Sequence, residues 1–356
     1  MKYVVTGTID ERTSFPTNRF KGFCYESWGY AWSMIDGINA EYIPYKEILD
    51  TPGLIDEIDI IHCAWDLDEI IDATHEKCYV IITEHGSGLN MDKINSISGK
   101  LEFKEKVDKV DLLLATTYAG YEYWKLFTDT DVLNVPLPID LNFYKPRGVD
   151  KFDEFTVSIG EVIPDCGNDR PLQYLAISII NSIGAKIAAT INPDNPVTID
   201  DIIDVCGIDE DSIEIYQHGD FKSMSMSYLP RSHASMMIST LPTFGRLAYI
   251  SAAIGVPCVA SYYQMQRDIC PQLSFSYNEI TQMKNALIRL RDDEEFYNQC
   301  VDVSLENMKQ MSEYNIAKRI CNEILPLITG ARHKNHYLKW QNASDYDQKI
   351  IESTEL

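Results

Sequence analysis

TLPTFGRLAYISAAIGVPCVAS, residues 240–261, is the stretch on which the reading of this chain turns. Thr-Phe-Gly precedes a run of mostly small and apolar residues, and Gly-Val-Pro closes that run just before an apolar strand. A core helix has no need of Phe-Gly at its start, whereas a helix aimed at an anion does. Thr243 is placed to cap such a helix by accepting a backbone N–H. Gly245 lets a ligand approach the backbone, and Arg246 puts positive charge into the first turn. A cation there opposes the helix dipole unless an anion sits nearby. Open N–H groups at Phe244–Gly245, a close-approach glycine and a guanidinium together describe an anion site. Ala248, Ser251, Ala252 and Ala253 permit tight packing on a sheet, Gly255 ends the helix and Pro257 opens the next strand. Spacing alone fits an ordinary strand–helix–strand crossover with an exposed arginine equally well.

Outward from this stretch, the chain alternates short apolar runs with helical patterns, the signature of parallel sheets wound with helices. In the first half, strands are predicted at 3–9, 40–45, 59–65, 78–85, 111–117 and 132–137. A long polar loop, 10–22, follows the first strand. PLPIDLNFYKPRGVDKFDEF, 136–155, carries three prolines and a charged stretch, and reads as a break between domains. Strands then resume at 155–160, 185–191, 212–216, 234–240 and 257–261, and beyond about residue 278 the pattern is helical. The organisation expected is an N-terminal domain over 1–143, a linker over 144–154, a C-terminal domain over 155–325 and a helical tail over 326–356. Two wound sheets in tandem are expected to face each other across a cleft, a common place for a ligand.

Composition narrows the classes of function. Of 356 residues, 54 are acidic and 31 basic, a net charge of -23, which argues against a nucleic-acid partner. The nine cysteines include no C-x-x-C pair, and several lie in apolar runs where a reduced thiol acts as a small hydrophobe. Neither a zinc site nor a disulfide framework is expected, and a reducing compartment fits. The chain opens on KYVVTGTI with no basic leader, and no run reaches the roughly 18 apolar residues of a membrane span, so a cytoplasmic location is expected.

Several segments, in order, resemble the GT-B-fold glycosyltransferases, and specifically the large retaining family 4. STLPTFGRLAYISAAIGVPCVAS is similar to that family's E-G-F-G…E-A-M-A-x-G-x-P-V-V-A-S segment. NVPLPIDLNFYKP, 134–146, resembles the interdomain segment, and SIGEVIPDCGNDRPLQYL, 158–175, the opening of the second domain. YQHGDFKSMSMSYLPRSHASMMIST and VIITEHGSG also resemble family segments, and the likeness covers roughly residues 2 to 325. It implies two Rossmann-like domains and transfer of a sugar from a nucleotide-sugar donor to an acceptor, with retention and with no metal or other cofactor. His85, at the end of a first-domain strand, matches the histidine that points toward the donor sugar. Gly160, Arg170, Thr243, Phe244, Gly245 and Arg246 are the expected donor and phosphate contacts, and His218 and Phe221 the expected wall beside the base.

The departures bear on activity. The family's Glu-x7-Glu pair falls on Pro242 and Ile250, and its Arg and Lys fall on Glu161 and Cys166. A catalytically degenerate binding or regulatory subunit is therefore the alternative, and a different enzyme on the same scaffold, such as an epimerase or phosphorylase, is a further one. Other chemistry-bearing residues read as structural. Tyr25, Trp28, Tyr30 and Trp32 have helical spacing and read mostly as core, with Tyr25 and Trp28 the two placed to stack on a sugar; Glu84 reads as facing solvent or an acceptor. His62 and His75 have no functional context, and the RDDEE run at 291–295 reads as a solvated face or a helix start.

Overall fold

The computed structural model describes residues 1–7, 13–14, 23–63, 68–84, 101, 104–162, 172–191, 198–217, 221–240, 245–262 and 265–329. Thirteen strands form two sheets among them. The first holds β1 (Lys2–Thr6), β2 (Thr13–Ser14), β3 (Asn39–Tyr42), β4 (Ile60–Cys63), β5 (Tyr79–Glu84), β6 (Leu112–Ala115) and β7 (Asp131–Asn134). Its order is β2-β3-β1-β4-β5-β6-β7, parallel except for β2, which runs antiparallel to β3. The second holds β8 (Thr156–Val162), β9 (Lys186–Ile191), β10 (Ile213–Tyr216), β11 (Ala234–Met237), β12 (Cys258–Ser261) and β13 (Ser274–Phe275), all parallel, in the order β10-β9-β8-β11-β12-β13. Each apolar run read as a strand is one. The sequence reading missed only β2 and β13, because two-residue strands are too short to carry a periodic signal.

Helices cover the faces of both sheets, so the strands are apolar on both sides and their sequences do not alternate. All four residues of β4, β6 and β12 are buried. On one face of the first sheet, Val4, Ile61, Val80 and Ile82 pack with Ile48, Ile70 and Ile71 from helices Tyr45–Asp50 and Asp68–Thr74. On the other, helix Phe23–Ser33 lays Trp32 flat on Tyr3, ring centroids 4.4 Å apart, and brings Trp28 to 5.0 Å from His62. The aromatic cluster is thus core, with Trp28, Tyr30 and Trp32 all fully buried.

By contact the chain divides into two compact units, Met1–Asn142 with Gln310–Leu356, and Phe143–Lys309. The sequence reading carried the second domain to 325. The contacts instead return the chain to the first unit at Gln310, for reasons visible at the junction. Ile139 forms a bridge with Ser312, helix Glu313–Arg319 packs on helix Phe23–Ser33, and Arg319 donates to the Asn134 carbonyl at 2.8 Å. Of the tail read over 326–356, residues to Thr329 are helical and 330–356 lie outside the described residues.

The 144–154 stretch read as a linker is tied to the second unit. Lys151 Nζ donates to the carbonyls of Pro230 (3.0 Å) and Ser232 (2.7 Å), Phe152 N–H donates to Arg231 O, and the Arg231 guanidinium lies 4.4 Å over the Phe152 ring.

Candidate functional site

The strand order of the second sheet fixes where a ligand can sit. Counted from β8, the order is that of dinucleotide-binding folds, and the direction of winding reverses between β8 and β11. In open parallel sheets ligands bind outside the carboxyl ends of the strands at this reversal. Here the two carboxyl ends lead into β8's terminal residues and into helix Arg246–Ala253, which follows β11.

The N-cap of that helix is Gly245 (φ 71°, ψ 56°), which has no side chain to cap it. Thr243 and Phe244, expected at the start of this helix, lie outside the described residues. A glycine is needed because the left-handed backbone there costs any residue with a Cβ about 1–2 kcal/mol. A glycine cap brings no side-chain acceptor of its own to the helix start, and helix N-termini attract anions. Leu247 through Ala253 are buried, and Arg246 alone of the helix is exposed. Ala248 packs with Cys258 and Ala260, and the Ser235 hydroxyl donates to Ser251 Oγ at 2.8 Å, so small residues let the helix sit tightly on β11 and β12. The far end closes as the sequence suggests. Gly255 (φ 78°) donates to Ala252 O and Val256 to Ser251 O, the paired bonds of a Schellman motif.

Gly160 meets this helix start. It lies at an irregularity in the β8–β9 pairing, with φ 73°. A Cβ built on it would stand 3.4 Å from Leu247 Cδ2 and 3.7 Å from Met224 Cε. The structure thus brings Gly160, the Gly245–Arg246 turn and helix Phe221–Met226 to one end of the second sheet. Phe221 opens that last helix. Met224 and Leu247, which form the floor between these elements, were not singled out from sequence because apolar residues in helices carry no signal of a site. His85, Arg170 and His218 lie outside the described residues.

Position 250, where the resembled family carries its second glutamate, is a fully buried isoleucine. Among the described residues no group of three or more His, Cys, Asp or Glu side chains is gathered closely enough to hold a metal ion.

Charged and titratable groups elsewhere have structural settings. Lys151 is pushed down to about 8 by burial, and His233 is lowered by its own burial and by Lys151. In the first unit, Glu84 at the end of β5 is half-buried. Its Oε2 would lie 3.3 Å from a Cβ at Gly120, in the first turn of helix Tyr118–Phe127, where Thr117 accepts from Gly120 N–H at 3.1 Å. A carboxylate at that end is favoured by the helix dipole. His62 is fully buried, with Nδ1 2.6 Å from the Tyr3 hydroxyl and Nε2 against the Thr83 hydroxyl, so it bridges β1, β4 and β5. His75 Nδ1 lies 3.2 Å from the Ile71 and Asp72 carbonyls at a helix end. In the 291–295 run, Asp293 accepts from Phe296 N–H at 3.0 Å and starts helix Glu294–Lys309.

No family model and no curated protein matches the chain. Solved structures do match in fold. The sucrose-phosphate synthase of Thermosynechococcus elongatus is similar over 93% of this chain and 100% of its own, at TM-score 0.68 and 13% identity. AviGT4, a glycosyltransferase of avilamycin A biosynthesis, is similar over 93% of this chain and 98% of its own, at TM-score 0.60 and 14% identity. TarM is similar over 76% of this chain, at TM-score 0.59 and 12% identity, and the chain spans 55% of TarM's length. The fold is therefore α/β of the GT-B type, that of these glycosyltransferases. Among the described residues, no helix is long and apolar enough to cross a membrane.

Proposed function

We propose that this chain is a glycosyltransferase that takes a sugar from a nucleotide-sugar donor and passes it to an acceptor with retention. The observation that carries this reading is the start of helix Arg246–Ala253 at the left-handed Gly245, pressed against the left-handed Gly160 at the winding reversal of a GT-B second domain. The donor diphosphate docks on the first-turn amides, with the exposed Arg246 beside it and Arg170 as the second cation. Breaking the bond from sugar to phosphate leaves negative charge on the diphosphate, and fixed amides and guanidinium groups stabilise that charge as it develops. The departing phosphate oxygen takes the acceptor's proton, so no carboxylate base is required. His85 faces the donor sugar, and His218 with Phe221 borders the base. No metal or other cofactor takes part, nucleic acid is not an acceptor, and the protein works in the cytoplasm.

Similar proteins guide the first donors to test. A TarM variant from S. aureus holds UDP and alpha-GlcNAc-glycerol, and pneumococcal O-GlcNAc transferase GtfA, 15% identical at TM-score 0.55, holds UDP and GlcNAc. Calorimetry against a panel of UDP-, GDP-, ADP- and dTDP-sugars, with release of free nucleoside diphosphate followed in parallel, tests the proposal. Binding of one donor class with slow nucleotide release is expected. Arg246→Ala is expected to weaken that binding roughly 10- to 100-fold, the worth of one charge-assisted hydrogen bond. Binding of no donor refutes the reading, and an unchanged affinity in Arg246→Ala moves the diphosphate elsewhere.

A further inference from the structure

An exposed tyrosine stands where the carboxyl end of β12 meets the anion-facing helix. Tyr262 follows Ser261, the last residue of β12, and is 39% exposed, whereas all four residues of β12 are buried. Its backbone is fixed on both sides. The Tyr262 N–H donates to the Phe275 carbonyl at 2.8 Å, which carries the β12–β13 pairing one residue past Ser261. The Ser261 hydroxyl oxygen accepts from Ser239 N–H at 2.8 Å, tying the end of β12 to the segment that leads from β11 toward the helix. An aromatic ring on such a backbone offers a large contact area at little cost in lost freedom.

Alternation along the strand sets the side on which the ring lies. Cys258 and Ala260 pack with Ala248 of helix Arg246–Ala253, and Tyr262, two residues further, falls on the same face. The elements before and after Tyr262 in the chain, β12 and helix Gln266–Ile269, both pack on that helix. The helix runs from the carboxyl end of β11 back to the start of β12, so the end nearest Tyr262 is its first turn, at Gly245–Arg246. Helix Phe221–Met226 lies on this face too, since Met224 and Leu247 meet at Gly160. Along the carboxyl rim of the sheet the order is therefore Phe221 after β10, Gly160 on β8, Gly245–Arg246 after β11 and Tyr262 after β12.

A nucleotide sugar has the same linear order of base, diphosphate and sugar. We propose that Tyr262 is the platform on which the sugar ring of the donor stacks, and that it sets preference among sugars while the diphosphate is held at the helix start. This rests on the sugar-transfer reading, which puts the base at Phe221 and the diphosphate at Gly245–Arg246. The sugar then falls one strand further along the rim, about 4.8 Å on, against Tyr262. The C–H groups on one face of a pyranose carry partial positive charge and meet the negative face of an aromatic ring.

The full-length protein is titrated by calorimetry with UDP, GDP, ADP and dTDP and with sugar conjugates of each. One conjugate is expected to bind more tightly than its bare diphosphate. Tyr262→Ala is expected to weaken that conjugate roughly 3- to 10-fold, the worth of one aromatic stack, and to leave the bare diphosphate unchanged. Tyr262→Phe, which keeps the ring, is expected to bind both as the wild-type protein does. Unchanged conjugate affinity in Tyr262→Ala overturns the proposal and leaves the diphosphate site standing. An equal loss for diphosphate and conjugate overturns it too, since Tyr262 then acts on the diphosphate or on the fold. Binding of no diphosphate and no conjugate removes the sugar-transfer reading itself. Hydrogen exchange on the wild-type protein decides the matter even if a variant fails to fold. Peptides covering 258–269 are expected to gain more protection with the conjugate than with the bare diphosphate, and identical protection overturns the proposal.

Discussion

Gly160→Ala is the substitution that tests the architecture of the site most directly. At φ 73°, an alanine is forced into the left-handed region, at a cost of about 1–2 kcal/mol. Its added Cβ would stand 3.4 Å from Leu247 Cδ2 and 3.7 Å from Met224 Cε, ordinary contact distances, so sterics add little. Gly207, the left-handed cap of helix Ile199–Cys206 at φ 60°, has nothing within 4 Å of its Cβ position and is the matched control. Both alanine variants are therefore expected to lose about 1–2 kcal/mol, or roughly 2–8 °C of melting temperature for a unit of this size. Only Gly160→Ala is expected to weaken nucleotide-sugar binding as well, since Gly160, unlike Gly207, lies against Leu247 in the first turn of the anion-facing helix, and any backbone shift that relieves its φ moves that contact. The five tryptophans, at 28, 32, 65, 124 and 340, all fall within the bounds of the first unit, so their fluorescence does not report on this change. Hydrogen exchange measured on peptides from 143–309 does. Gly160→Ala with unchanged protection refutes the left-handed turn at 160. A loss of donor affinity equal in Gly207→Ala removes the link between that turn and the site.

Three further outcomes follow from the same coordinates. Lys151 titrates near 8 in the folded protein, below the ordinary lysine range to which it returns when the chain unfolds. The folded state thus releases this proton first, and stability rises as pH climbs from about 8 to about 10.5, by on the order of 2 kcal/mol. Lys151→Met is expected to abolish that rise, and urea midpoints measured at several pH values for the two proteins check it; parallel pH profiles would exclude a buried charge. His62→Ala strands the buried hydroxyls of Tyr3 and Thr83 and opens a cavity beside Trp28, at a cost of about 2–5 kcal/mol. Tryptophan fluorescence during urea unfolding reads this loss, and a cost under about 1 kcal/mol contradicts the bridge. Thr198→Ala breaks the capping box formed with Asp201 and is expected to cost about 1 kcal/mol, seen as faster exchange confined to helix Ile199–Cys206.

The fold was legible because its signals are local. Unbroken apolar runs such as IIHC and LLLA must be strands buried on both faces, and Gly255 had to end a helix once a Schellman turn followed Ala253. The candidate site was legible in part, because Gly160 and Gly245 announce backbone that other residues resist. Their neighbours were not legible. Met224 and Leu247 read as any core residue, and Glu84 as any strand-end carboxylate, until the chain placed them beside Gly160 and Gly120.

Sequence by itself determined the eleven longer strands, where the helix of 246–253 stops, and that two wound sheets stand in tandem. Only the tertiary structure decided the strand order and so the winding reversal between β8 and β11, the return of the chain to the first unit at Gln310, and the meeting of Gly160 with Leu247. The physical reason is range. Apolar periodicity and backbone conformation depend on a few neighbouring residues. Strand order and chain return depend on contacts between residues far apart in sequence, such as the 185 positions that separate Arg319 from the Asn134 carbonyl it donates to.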